Sequence, residues 1–150
     1  MSESLLHRRL VVDTSIAINR LYPDMQLTID IIEKPGGPVP SMIGGYRPDI
    51  IGRSNGQGIH QVIAEAKIDG DVKRLHTICQ IDAFIDYLES MKSANGTFIL
   101  AVNGYVCGTA RTILNLNYRH RVSDNIHIKL FDGLDFWCLG RSGETLWRLS

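Results

Sequence analysis

Three side chains near the middle of the chain have the types and spacing to do chemistry together: Asp49, Glu65 and Lys67. Asp49 follows a proline and opens the apolar run Asp49-Ile50-Ile51. Glu65 and Lys67 interrupt a second apolar run, Gln61-Val-Ile-Ala-Glu-Ala-Lys. That run alternates from Ile59 to Ile68, so Val62, Ala64, Ala66 and Ile68 share one face of a strand. Ile63, Glu65 and Lys67 share the other. Ser54-Asn55-Gly56-Gln57-Gly58 between the two runs is a turn signal. Antiparallel pairing about that turn sets Asp49 opposite a residue near Ile63 or Ala64, within diagonal reach of Glu65.

Two carboxylates and a lysine on half-buried strands are unfavourable unless they pair or bind a cation. Adjacent carboxylates suit a hard divalent ion such as Mg²⁺, which keeps several waters and accepts one or two carboxylates. A lysine beside them can orient or deprotonate a water, or stabilise a phosphate. The plainer account of the same trio is a structural ion pair, Lys67 with Glu65 or with Asp49, at a sheet surface.

Pro48-Asp49, fifteen intervening residues, then Glu65-Ala66-Lys67 resembles the PD-(D/E)XK signature of the restriction-endonuclease-like nuclease superfamily. The element order helix–strand–strand–strand–helix–strand, set out below, is similar to the αβββαβ core of that superfamily. The resemblance implies Mg²⁺- or Mn²⁺-dependent hydrolysis of DNA phosphodiesters, with RNA not excluded. Asp49 and Glu65 would hold the metal, the Ala66 carbonyl would be a further ligand, and Lys67 would position or activate the nucleophile. It also implies an acidic residue on the first helix, for which Asp13 is the best-placed candidate, and a glutamine near the site on the helix after Lys67, here Gln80. Junction resolvases and restriction enzymes are among the small members, so the expectation is a self-contained endonuclease, which as a homodimer would set two sites on two strands.

The elements that would position these residues follow from the pattern. Ser2 to Leu21 predicts a helix, capped by Ser2 or Ser4 and broken at Tyr22-Pro23. Gln26 to Glu33 predicts a first strand, with Asp30 and Glu33 as further acidic groups. Lys34 to Gly45 holds three prolines and four glycines and predicts a long loop beside the site. After Lys67, Asp69-Gly70-Asp71 predicts a turn and cap. Val72 to about Lys92 is the longest expected helix, with Leu75, Ile78, Ile81, Ile85 and Leu88 inward and Asp82, Asp86 and Glu89 outward. A second stripe, Lys73, Thr77, Gln80, Phe84 and Tyr87, borders that face. Thr97 to Val106 is nearly all apolar and predicts a strand buried on both faces, parallel to the Glu65 strand. A short helix over Thr109 to Asn117, a strand over Ile126 to Phe131 and a terminal hairpin around Gly140–Gly143 complete the reading. The fold class is therefore α/β, a mixed sheet of about five strands flanked by helices in one domain.

Lysine plus arginine equals aspartate plus glutamate, 16 each, so no global charge draws nucleic acid and any such surface must be local. The candidates for phosphate contact are Lys73 and the cluster Arg111, Arg119 and Arg121; His7-Arg8-Arg9 is a smaller basic group. Trp137 and Trp147 are expected to be core or interface anchors. Three cysteines, far apart and without CxxC spacing, argue against a disulfide framework or a zinc ribbon and fit a reducing interior. With no signal peptide or spanning segment in the sequence, a cytoplasmic setting without membrane association is the expectation. Phosphate-loop, dinucleotide, nucleophile-elbow and His-Glu-x-x-His motifs do not occur. The leading alternative to an enzyme is an inactive nuclease-like fold that serves as a nucleic-acid or protein interaction module.

Overall fold

The computed structural model describes residues 4–31, 39–54, 59–91 and 94–150. Helix α1 (Leu5–Leu21) starts where the Ser4 hydroxyl oxygen accepts the His7 N–H at 3.1 Å, and ends at Tyr22, before Pro23. It buries Leu10, Val11, Thr14, Ser15 and Ile18 along one side. Strands β1 (Met25–Ile29), β2 (Ile50–Ser54) and β3 (His60–Lys67) then form an antiparallel meander. A short 3₁₀ turn (Asp69–Lys73) leads into α2 (Leu75–Ser90). Strand β4 (Asn95–Val102) lies parallel to β3, and α3 (Cys107–Tyr118) carries the chain to β5 (Ile126–Phe131), parallel to β4. Strands β6 (Phe136–Leu139) and β7 (Trp147–Leu149) close the chain as an antiparallel hairpin.

The result is an α/β fold with a seven-stranded mixed sheet whose spatial order is the chain order, β1 to β7. The count exceeds the expected five because the terminal hairpin pairs with β5 and extends the sheet. The first strand ends earlier than Glu33, at Ile29, while Glu33, most of the Pro/Gly-rich loop and the Asn55–Gly58 turn lie outside the described residues.

Alternation along β3 sorts two cores. Val62, Ala64 and Ala66 face α1 with Val11, Ile18, Ile99 and Ala101. Ile63 faces α2 and α3 with Ile81, Phe84, Phe98, Leu100 and Leu114. Two successive parallel crossovers of the same hand place α2 and α3 on one face, leaving the other to α1. The inward side of α2 is rotated from the expected one. Leu75 is 77% exposed, whereas Thr77, Gln80, Ile81, Phe84, Ile85 and Leu88 are buried. The 3₁₀ turn takes up the residues before it: Arg74 is extended and the helix starts only at Leu75, three residues later than expected.

Gly140 marks a tight approach in the β6–β7 hairpin. Its N–H donates to the Leu146 carbonyl at 2.8 Å, and a Cβ there would fall on the Thr145 carbonyl oxygen. Backbone cannot give way as a side chain can. Gly140→Ala should therefore destabilise the protein by about 1–3 kcal/mol, read as a lower urea midpoint with an unchanged slope.

Candidate active site

Strand register creates the site. Ile50 pairs with Ala64, which sets Asp49, one residue before β2, across from Glu65. This is one position from the expected partner. The Asp49 N–H donates to Glu65 Oε1 at 3.1 Å, and the Ala66 N–H donates to Asp49 Oδ2 at 2.8 Å. Each carboxylate is thus fixed by the other strand's backbone, and both are held in place before any ligand arrives. Lys67, two residues along the same face, brings Nζ to 3.3 Å from Glu65 Oε2. Asp49, Glu65 and Lys67 are therefore assembled at the C-terminal end of β3, with side chains 12%, 5% and 14% exposed. Asp30, one of the other acidic candidates, donates its N–H to the Asp49 carbonyl at 2.8 Å and so lies beside the site, one residue past the end of β1.

The first-helix residue at the site is His7. Its Nε2 lies 3.1 Å from the Ala66 carbonyl oxygen and 3.3 Å from Asp49 Oδ2. Both neighbours are acceptors, so Nε2 carries hydrogen and donates to them. Asp13 instead points to solvent, 48% exposed, with Arg9 at 4.0 Å. The signal for His7 was present in the sequence: it stands four residues before Val11 and eleven before Ile18, on the buried side of α1. Set among basic neighbours, it reads as part of a charge cluster. Asp13→Ala should leave stability within about 0.5 kcal/mol and divalent-ion binding unchanged. His7→Ala should weaken Mn²⁺ binding on the order of 10-fold, as loss of a supporting imidazole does. Calorimetric titration with Mn²⁺ distinguishes the two.

Burial raises the Glu65 pKa well above its ordinary value, the Asp49 charge raises it further, and Lys67 only partly offsets them. A cation between the carboxylates would remove that repulsion. The metal-facing donors present are two carboxylates and one main-chain carbonyl, a hard oxygen set that fits Mg²⁺ or Mn²⁺, with the His7 N–H as an outer hydrogen-bond donor to two of them. Among the described residues, no three His, Cys, Asp or Glu side chains form a ready-made cation cage. The fit depends on the Ala66 carbonyl and on waters.

The remaining candidates are dispersed. Gln80 is 7% exposed on the sheet-facing side of α2, on the same face as Glu65, and its Oε1 has no partner among the described residues. Lys73 is exposed in the 3₁₀ turn that follows the site. The three arginines are committed elsewhere. Arg111 lies over the rings of Trp137 and Trp147, 4.6 and 5.7 Å from the centroids. Arg119 donates to the carbonyls of Gly140, Arg141 and Glu144, and so holds the terminal hairpin loop. Arg121 pairs with Asp86 and Glu89 of α2. An arginine spent on carbonyls or carboxylates has little left to offer a phosphate. The dense basic run in the sequence is thus a set of internal fastenings.

No family model, curated protein or solved structure matches this chain. No described helix is long and apolar enough to cross a membrane, and the three cysteines are unpaired.

Proposed function

We propose that the chain is a metal-dependent nuclease of the PD-(D/E)XK kind that hydrolyses DNA phosphodiesters with Mg²⁺ or Mn²⁺. The observation that carries this reading is the convergence at the end of β3. Asp49 Oδ2 and the Ala66 carbonyl oxygen flank the His7 N–H, Glu65 abuts Asp49, and Lys67 stands beside Glu65. The two oxygens that the His7 N–H bridges form a point of negative potential, beside which a cation would sit with that N–H still holding both oxygens in place. The element order α1-β1-β2-β3-α2-β4 is the order the resemblance implies, which supports the reading further.

Asp49, Glu65 and the Ala66 carbonyl would hold the ion, with His7 as a supporting imidazole. When bound, the ion would polarise the scissile phosphate and lower the pKa of a water. Lys67 is placed to orient that water or take its proton, and its low exposure keeps bulk water from competing for it. Lys73 remains as a phosphate contact on the approach.

A second reading draws on the same hydrogen bonds. The site groups satisfy one another, as an inactive interaction module with a structural ion pair requires. Cleavage of supercoiled, linear, branched and single-stranded DNA, and of RNA, with Mg²⁺, Mn²⁺ or chelator separates the two. Metal-dependent cutting that is absent in Asp49→Asn is expected. No cutting together with no calorimetric Mn²⁺ binding would replace the nuclease with the module.

A further inference from the structure

Gln61 is a buried polar side chain that neither the sheet nor the candidate active site uses. It is 2% exposed, and its Oε1 is buried with no hydrogen-bond partner among the described residues. A buried carbonyl oxygen without a donor carries its full desolvation penalty, so its retention calls for a ligand that supplies one. Gln61 lines a cleft of about 380 Å³ formed by the outer strands, Val39–Ile43 and Tyr87 of α2. That volume falls among small-molecule sites. Val39, Met42 and Tyr87 give the cleft apolar walls, and Thr28 and Arg53 lie on its polar side.

The cleft is on the same sheet face as the proposed catalytic carboxylate. Gln61, Ile63 and Glu65 alternate inward on β3, and four residues of strand span about 13 Å. A nucleic-acid strand crossing that face would cover the distance in a few nucleotides.

We propose that this cleft is a subsite for an unpaired nucleobase bearing an exocyclic amine, adenine or cytosine; the assignment to a substrate strand rests on the nuclease reading. With the Gln61 amide turned into the cleft it lines, the amine donates to Oε1 and the amide nitrogen donates to the adjacent ring nitrogen, the two-point contact that a glutamine makes with adenine. Tyr87 and Met42 offer flat or adaptable apolar surface to the base plane. Arg53 faces the sugar-phosphate outside. A base stacked in a duplex cannot enter such a cleft, so the subsite selects single-stranded, branched or locally opened substrate.

The test is a ¹⁵N-resolved NMR titration of the full chain in chelator with dAMP, dCMP, dTMP and deoxyribose 5-phosphate. The expected result is that dAMP and dCMP shift the Gln61 side-chain amide and the Tyr87 backbone signal, with dTMP weaker and deoxyribose 5-phosphate without effect at those positions. Gln61→Leu should weaken dAMP about tenfold while raising the thermal midpoint, because leucine removes an unpaired buried acceptor. Should that variant fail to fold, Met42→Ala, on the exposed wall at 55%, should weaken dAMP in its place. Equal shifts from deoxyribose 5-phosphate, no shift at Gln61, or binding indifferent to the substitution made would overturn the subsite. Nucleotide binding here without any metal-dependent cleavage would sink the nuclease reading alone. Cleavage without nucleotide binding would sink the subsite alone.

Discussion

Lys67→Ala is expected to abolish metal-dependent cleavage while leaving divalent-ion binding at least as tight as in the wild type. The reasoning turns on what Lys67 touches. Its Nζ is 3.3 Å from Glu65 Oε2 and its side chain is 14% exposed, so it acts in a partly desolvated space where a positive charge is felt strongly. The Ala66 N–H donates to Asp49 Oδ2 and the Asp49 N–H donates to Glu65 Oε1, and neither bond involves Lys67, so the oxygen donors survive its removal. An ammonium beside the carboxylates repels a divalent ion, and its loss cannot weaken that ion's binding. A group that orients or deprotonates the nucleophile contributes on the order of 10²–10⁴-fold, which is the loss expected in the cleavage rate. Calorimetry with Mn²⁺ and cleavage of the substrate panel, run on both proteins, give the answer. Parallel loss of binding and cutting would mean that Lys67 merely holds the carboxylates together. Undiminished cutting would place the chemistry elsewhere.

The strands were legible in the sequence because their side chains obey a strict period of two. Val62, Ala64 and Ala66 against Ile63, Glu65 and Lys67 divide between the two cores as the alternation requires, and β5 and β6 begin and end where their apolar runs do. Helix phase was harder to read. On α2 two adjacent stripes compete, and the choice between them is made by packing on the sheet, where Thr77, Gln80 and Phe84 are buried beside Ile81, Ile85 and Leu88. Leu75 faces solvent although its type suggests core. The site was legible in its strand residues and obscure in its helix residue for a related reason. Asp49, Glu65 and Lys67 are brought together by local pairing of neighbouring strands, whereas His7 reaches Ala66 across 59 residues. Charge composition misled most. Arg111, Arg119 and Arg121 read as a phosphate patch, yet indole faces, loop carbonyls and helix carboxylates take them up, and no local pattern reveals those partners.

The metal-free protein should lose stability as the pH rises, and Mg²⁺ or Mn²⁺ should restore it. Glu65 titrates near its ordinary value of 4.5 when the chain is unfolded, and well above that in the fold, where burial and the Asp49 charge favour the neutral acid. The native state therefore holds this proton more tightly than the unfolded state does. By linkage its contribution to stability is fully present below about pH 4.5, and is lost as the pH rises through the folded-state value. Ionised Glu65 is then left beside Asp49 with Lys67 as partial compensation. A divalent ion reverses the sense of the effect, because it binds the ionised carboxylates, displaces the proton and gains affinity as the pH rises. Saturation at a hundredfold excess over the dissociation constant adds about 2.7 kcal/mol, or roughly 5–11 °C in thermal midpoint for a chain of this size. Thermal unfolding followed from acid to mildly alkaline pH, with chelator and with Mn²⁺, should give two curves that separate progressively on the alkaline side. In Glu65→Gln, whose amide stands in for the protonated acid, the two curves should coincide. Curves that stay parallel in the wild type would mean that Glu65 ionises without regard to the ion, and the cation site would then have to be sought elsewhere.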